Sequence, residues 1–222
     1  VKNLSIGDRV MCSGASVWAE YAIADYGRVI KIPDNNMDFA TASTLPIALA
    51  TMHNAIVTIG NFSKGQTILI QGASSGVGLM GLQIAKHLGA KLVIGTSTKP
   101  EKFDKLKSIG ADLVLNSKDK DWVDHVLQVT NNEGVDLIID QLSGYTINEN
   151  MRASKVKGTI VNVGRLAGGN TEFNCDLHAL RRINYRGVTF RTRSIKEIRE
   201  VYSKMCSDLG YLVVKGKISL TI

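Results

Sequence analysis

The stretch "IQGASSGVG", Ile70 to Gly78, decides how this chain is read. The apolar run Gln66-Thr67-Ile68-Leu69-Ile70 leads into it, and an apolar, helix-like segment follows it. A strand, a tight glycine turn and a helix build sites, because the first N–H groups of a helix have no partner inside it. The turn fits three glycine or serine patterns, and the residues around it must choose among them.

Outward from the turn, short β-branched runs recur: Thr67–Gln71, Lys91–Gly95, Asp112–Leu115, Val135–Ile139, Gly158–Val163 and Gly187–Phe190. Helix-like segments alternate with them. Gly76–Leu88 stops at Gly89, and Pro100 opens Glu101–Ile109, which Gly110 closes. Asp119–Thr130, Tyr145–Lys155 and Ser194–Leu209, ended by Gly210, complete the set. Strand then helix, repeated, predicts right-handed crossovers and a parallel sheet with helices on both faces, an α/β doubly wound fold. Residues 1–36 differ. Asp8–Met11 and Trp18–Ala24 read as short strands around a Ser/Gly turn, and Ile32-Pro33-Asp34 ends that part. Thirty-six residues cannot bury a core alone. The organisation expected is a β remnant over 1–36, then a nucleotide-binding domain over 37–222. Asp38–Gly60, read as two helical pieces broken at Pro46, opens that domain.

The 222 residues are 44% hydrophobic and 21% charged, enough for one good core and a small appendage. No run of about eighteen apolar residues suggests a membrane span. Cys12, Cys175 and Cys206 are scattered, with no Cys-x-x-Cys, so neither a disulfide framework nor a zinc knuckle is indicated. A reducing, cytoplasmic setting is expected, and the sequons at Asn3 and Asn61 then read as chance matches. The net charge of +7 admits nucleic acid, but the charges are spread and no recognition motif accompanies them. Arg181, Arg182, Arg186, Arg191 and Arg193 do crowd together, and a phosphate-bearing cofactor can use the same charge. No specific nucleic acid is expected as a partner.

Gly72-Ala73-Ser74-Ser75-Gly76 fits the G-x-S-x-G elbow of a hydrolase, with Asp140 and His178 following in the order such an enzyme uses. No His-Gly-Gly-type oxyanion segment precedes Ser74, and Asp140 reads as well as a polar end to a buried strand. Gly72-x-x-x-Gly76-x-Gly78 fits the short-chain dehydrogenases. Their Tyr-x-x-x-Lys pair has one match, Tyr211 and Lys215, but "GYLVVKGKISL" favours a strand, where residues four apart do not meet. Ala73-x-Ser75-x-x-Gly78 is a variant of G-x-G-x-x-G. A pyrophosphate would approach the amides of Gly76–Leu79 (Gly76, Val77, Gly78 and Leu79) at the helix start, and Gly78 would let helix and strand pack closely.

The neighbours favour the third pattern. "IGDRV" (Ile6–Val10), "WAEYAIA" (Trp18–Ala24) and "KIPDN" (Lys31–Asn35) resemble the end of a GroES-like catalytic domain. "ATASTLPIALATMHNAI" (Ala40–Ile56), "GQTILIQGASSGVGLMGLQIAKHLGAKLVIGTS" (Gly65–Ser97) and "GTIVNVGRLAG" (Gly158–Gly168) follow in the order of the medium-chain dehydrogenase/reductase superfamily. Over essentially the whole chain the sequence resembles its zinc-free quinone oxidoreductase branch.

That resemblance implies a Rossmann domain without zinc. Only Met11–Val17 stands where zinc members place a four-cysteine loop, and Ile47 stands where they have a zinc cysteine. His53, His87, His125 and His178 show no metal spacing. The second strand runs into Gly95-Thr96-Ser97-Thr98 with no acid for the ribose hydroxyls, and Lys99 and Lys102 follow, which suits the 2′-phosphate of NADPH. By resemblance Lys102 binds that phosphate, Thr98 flanks it, and Ser117 stands where the branch has a tyrosine. Val163-Gly164-Arg165 would lie along the nicotinamide and Gln141 near the adenine side. Thr51 and Asn54 would face the cofactor from the connecting helices, with Asn54 in place of an aromatic. Ser75 would be a turn residue at the pyrophosphate. The implied chemistry is hydride transfer from NADPH to a small-molecule quinone or α,β-unsaturated carbonyl, with no proton donor to name and no membrane partner. The resemblance further implies a homodimer in the full-length form. It also implies that the chain is a fragment of a longer enzyme. An inactive NADPH-binding module is the alternative.

Overall fold

The computed structural model describes residues 4–33 and 37–220. The Asn3 sequon, Asp34 and Asn35 of "KIPDN", and the boundary at 36 lie outside the described residues. The chain divides into two compact units, Met52–Val188 and the segments Val1–Thr51 with Thr189–Ile222.

The Met52–Val188 unit holds a six-stranded parallel sheet in the order β5-β4-β3-β6-β7-β8. Its strands are β3 (Thr67–Ile70), β4 (Leu92–Thr96), β5 (Leu113–Leu115), β6 (Val135–Asp140), β7 (Ser154–Asn162) and β8 (Asn184–Gly187). The helices between them are α2 (Gly76–His87), α3 (Phe103–Ile109), α4 (Trp122–Val129), α5 (Ile147–Ala153) and α6 (Cys175–Arg181). Both faces of the sheet are buried, which is why its central strands are unbroken apolar runs rather than alternating ones. Leu69, Ile94, Ile138 and Ile160 pack in one cluster with Trp122, Val123 and Val126 of α4 and with Met151 of α5. On α2, Gly81 leaves room for Ile70 and Met52: a Cβ there would stand 2.9 Å from Ile70 Cδ1 and 3.1 Å from Met52 Sδ. Gly89, with φ of +77°, ends α2 as expected, its N–H bonded to the Lys86 carbonyl at 3.0 Å.

Several boundaries differ from the sequence reading within this unit. The edge strand is Asn184–Gly187, three residues ahead of the β-branched run that was expected, Gly187–Phe190. An edge strand has one neighbour and one solvated side, so polar Asn184 and Arg186 serve where Val and Phe were favoured. The helix expected over Tyr145–Lys155 ends at Ala153, and β7 starts directly at Ser154. Lys157, at φ +66°, and a register shift against β6 between Val135 and Leu137 turn the chain there without a loop.

In the other unit, β1 (Val10–Cys12) and β2 (Val29–Lys31) pair antiparallel. The strand expected over Trp18–Ala24 does not form. Trp18, Tyr21 and Ile23 are fully exposed, so these apolar side chains find no face to bury. α1 (Phe39–His53) runs through Pro46 without a break. Burial of Ala42, Leu45, Leu49 and Met52 outweighs the one backbone bond that proline removes. The irregularity comes later, within the Met52–Val188 unit, as a π-helical turn over Asn54–Ile59 that Gly60 N–H closes on the Ala55 carbonyl at 2.9 Å. By length and composition the span Phe39–Ile59 could cross a membrane, an apolar run the sequence reading had not found. Sixty-one per cent of its most apolar eighteen-residue stretch is buried inside the protein, as in a core helix.

α7 (Ile195–Val214) begins with a capping box, Ser194 with Glu197, and continues four residues past Gly210. Val201, Tyr202, Met205, Leu209, Leu212 and Val213 are buried at helical spacing, and this period overrides the β propensity of "YLVV". Tyr211 and Lys215 therefore lie at a helix end rather than on a strand. Tyr211 is exposed and Lys215 is the C-cap. Arg199 of α7 grips Asp25 through two bonds of 2.9 and 2.6 Å and stacks over the Tyr26 ring at 4.3 Å. The guanidinium holds the Asp25 carboxyl below its ordinary pKa.

A Cβ added at Gly210 would meet nothing within 4 Å. Gly210→Ala is expected to stabilise the protein by about 0.5–1 kcal/mol, because alanine is the better helix former. The readout is a higher urea midpoint at unchanged slope. A lower midpoint would mean that α7 ends at Gly210 after all.

Candidate functional site

β3 has β4 on one side and β6 on the other, so the chain reverses its winding direction at this pair. In open α/β sheets the crevice at the carboxyl ends of such strands is where ligands bind. Two connections meet there: Gln71–Ser75 after β3 and Gln141–Ser143 after β6.

Gly72 takes φ of +68°, a conformation few other residues adopt, and turns the chain sharply. Ser75 caps α2, its Oγ accepting from Gly78 N–H at 3.1 Å. Its single hydroxyl proton has two acceptors in reach, the Gly72 carbonyl at 2.9 Å and Gln141 Oε1 at 3.0 Å. Gln141 Nε2 also donates to the carbonyl of Gln71 at 3.1 Å, so it staples the β6 end to the turn. Beneath, Thr96 Oγ1 accepts from Gly72 N–H at 3.0 Å and donates to Gln71 Oε1 at 2.7 Å, and Gln71 Nε2 reaches Asn150 Oδ1 at 2.6 Å. Gly78 has no room for a side chain: a Cβ would lie 2.6 Å from the Gly72 carbonyl oxygen and 2.7 Å from Ala73 Cα. At Gly76 a Cβ would meet nothing within 4 Å. Leu79 N–H goes to the Ser75 carbonyl at 2.8 Å. Among the described residues, no hydrogen bond is made by the N–H of Gly76 or of Val77, and Gly76 is exposed.

The end of β4 is uncharged. Ser97 donates to Ser74 Oγ at 3.1 Å and accepts from Lys99 N–H at 3.2 Å. Thr98 and Lys99 are exposed, and Lys102 is half-buried at the end of a short 3-10 turn. Ser117, buried after β5, lies 3.4 Å from the hydroxyl of Tyr145. The loop after β7 rests on the loop after β6. Val163 and Gly164 N–H point to the Asp140 carbonyl at 2.8 and 3.2 Å, and Ser143 Oγ donates to the Gly164 carbonyl at 2.8 Å. A Cβ on Gly164 would lie 2.6 Å from the Gln141 carbonyl oxygen. Asn162 donates in turn to Ser143, and Arg165 beyond them is exposed. Asn54 is fully buried in the π turn, and Thr51, half-buried, stands on α1 in the other unit.

The hydrolase pattern does not assemble. Ser74 is bonded to Ser97, while His178 packs against the Phe173 ring at 5.4 Å. Asp140 is fully buried, its Oδ1 accepting from Leu142 and Ser143 N–H at 2.9 Å each, with no hydrogen-bond partner at Oδ2. Burial pushes its pKa up against the opposing pull of those two N–H groups and of nearby Asn150. Sequence reasoning did not single out Gln71, Thr96, Ser143, Tyr145 or Asn162 as site residues. Only Gln71 carried a signal, as the polar residue ending an apolar run just before a glycine.

A zinc-binding dehydrogenase domain model matches residues 76–207. The chain therefore belongs to the zinc-binding dehydrogenase family, within the medium-chain dehydrogenase/reductase superfamily. It is 32% identical over 169 residues to the highly reducing polyketide synthase pkhB of Emericella nidulans, which covers 74% of this chain and 7% of that synthase. Among solved structures it resembles the CurK enoyl reductase, at 23% identity and a TM-score of 0.76, over 90% of this chain and 58% of the other. It also resembles the Escherichia coli quinone oxidoreductase complexed with NADPH, at 22% identity and a TM-score of 0.77, over 88% and 59% of the two chains. The family's description names zinc; among the described residues no three His, Cys, Asp or Glu side chains group to hold a metal, and Ile47 offers only hydrocarbon.

The Asp140 shift fixes a pH dependence. An acid whose pKa is raised by folding favours the folded state while protonated. That contribution is full below the ordinary carboxylate value and is lost as pH rises through the folded pKa. Stability should thus fall on raising pH from the ordinary carboxylate range upward, and Asp140→Asn should flatten that slope in urea titrations at a series of pH values. Identical slopes in the two proteins would show that folding does not raise the pKa of Asp140.

Proposed function

We propose that this chain binds NADPH at the β3–β6 crevice. In its complete form it would use the cofactor to reduce a small α,β-unsaturated carbonyl compound or quinone, without zinc. The carrying observation is the turn itself: Gly72 and Gly78 bring strand and helix together, and among the described residues the N–H groups of Gly76 and Val77 at the start of α2 make no hydrogen bond. Those groups and the positive end of the helix suit a pyrophosphate. The acid-free end of β4, with Lys99 and Lys102 after it, suits a 2′-phosphate that a carboxylate would repel. Thr98 and Ser117 would flank that end, Gln141 the adenine side, and Val163, Gly164 and Arg165 the nicotinamide. Thr51 and Asn54 are proposed to contact the cofactor from the connecting helix.

The bound cofactor would supply a hydride, so the protein's part is to bind, orient and exclude water. The Ser143–Gly164 and Asn162–Ser143 bonds hold the loop after β7 in one place for that purpose. The similarity to a reducing polyketide synthase and to an enoyl reductase supports an enone acceptor, and the likeness to a quinone oxidoreductase supports a quinone. Because the chain spans only part of each relative's length, an NADPH-binding module without turnover is the second reading.

NADPH fluorescence titration with a parallel assay on a simple quinone and a simple enone separates the two readings. Tight binding with turnover supports the enzyme, and binding alone supports the module. NADPH should bind more tightly than NADH, and Lys102→Glu should weaken NADPH at least about tenfold with little change for NADH. A preference for NADH in the unaltered chain would sink the cofactor assignment.

A further inference from the structure

We infer that Tyr145, with Lys118 and Lys120, reads the 2′-phosphate end of the cofactor. This rests on the NADPH reading above. Ser117 follows β5 and Tyr145 follows β6, and those strands are separated in the sheet by β4 and β3. The approach of their hydroxyls to 3.4 Å therefore joins the outer rim of the crevice to its centre, past the strand ends that carry Ser97 and the glycine turn. Neither hydroxyl is committed: 3.4 Å is long for an O–H···O bond, so a phosphate oxygen entering between them displaces little. Ser117 is 3% exposed while Tyr145 is 48% exposed, so of the two hydroxyl-bearing residues the tyrosine is the one open to solvent.

These two residues line a cleft of about 540 Å³ floored by Trp122. Its cations are not all alike. Arg152 is paired with Glu149 at 2.8 Å. The acid Asp119 is held by Asn116 Nδ2 at 2.8 Å, in a turn that Asn116 Oδ1 also fixes by accepting from Lys118 N–H at 3.1 Å. Lys118 and Lys120 have no ion-pair partner among the described residues. The cleft thus offers two hydroxyls and two unpaired ammonium groups, the donor set for a phosphate monoester rather than for a neutral ribose hydroxyl. An aromatic ring beside it suits the face of a purine.

The probes are the adenosine half alone, adenosine 2′,5′-bisphosphate and adenosine 5′-monophosphate, titrated by calorimetry into the unaltered chain and two variants. The unaltered chain should bind the 2′-phosphorylated probe at least about tenfold more tightly. Tyr145→Phe keeps the ring and removes the hydroxyl. It should narrow that ratio several-fold while leaving the monophosphate affinity in place. The double variant Lys118→Gln/Lys120→Gln should narrow it further and reduce its salt dependence. Equal weakening of both probes in Tyr145→Phe would overturn the inference, since the hydroxyl would then contact the part of the nucleotide that the two probes share. So would a ratio that both variants leave intact but Lys102→Glu abolishes, a result that keeps the NADPH reading. An unaltered chain that binds both probes equally would overturn that reading itself. Unchanged melting temperatures separate each result from misfolding.

Discussion

Gly78 is the point on which the site depends. The helix that follows the turn must start within contact of the turn's own backbone, with the Gly72 oxygen and the Ala73 Cα both inside 2.8 Å of where a side chain would begin. No rotamer change relieves such a contact, because its partners are main chain. The approach carries α2 onto β3 and sets the direction of its first N–H groups. It also lets Ser75 reach Gly78 N–H as a cap. Gly76 lies two residues away with open space around it. Two glycines of one motif thus serve different ends. One permits packing inside the protein, and the other leaves the approach to the helix N-terminus clear.

Beneath that turn lies a polar network in an otherwise apolar sheet. Gln71, Thr96, Asn150 and Gln141 are buried, and each is bonded to another or to the turn's backbone. A net hydrogen bond contributes only about 0.5–1.5 kcal/mol, whereas a buried polar group left unpaired costs about 1–3 kcal/mol. The network therefore adds modest stability when complete and penalises strongly any arrangement that breaks it. Its effect is to hold one geometry of the crevice. Packing of Leu69, Ile138 and Ile160 against α4 and α5 supplies the bulk of the burial but sets no such detail.

The doubly wound sheet was legible because buried parallel strands are unbroken apolar runs and because glycine and proline punctuate the helices between them. Thr67–Ile70 and Val135–Asp140 needed nothing else. Where burial is one-sided or absent, the sequence misled. "WAEYAIA" reads as a short strand yet lies largely exposed, and "GYLVV" is β-branched yet helical, because Leu209, Leu212 and Val213 complete a buried helical face begun at Val201. Pro46 shows the same priority, since tertiary burial of α1 exceeds the loss of one bond. The glycine turn was readable as a motif. Its supports were not, because the bonds of Thr96, Asn150 and Tyr145 span 25, 79 and 28 positions in the chain. No local pattern encodes a partner at such separations.

Asp140 illustrates why an acid at a strand end need not be a catalyst. Ser143 adopts φ 55° and ψ −146°, a backbone region that costs about 1–3 kcal/mol for a residue with a side chain. The two N–H bonds to Asp140 Oδ1 contribute an amount of the same order and act on that residue and its neighbour. The strain is thus offset where it arises. Ser143, so held, points its hydroxyl at the Gly164 carbonyl, and Gly164 can come that close to Gln141 only because it lacks a Cβ. The carboxyl works through this chain of contacts on the shape of the loop after β7. Its raised pKa follows from burial first, and among the described residues its Oδ2 has no hydrogen-bond partner. Its position in the sequence suggested chemistry, and its surroundings make it a scaffold.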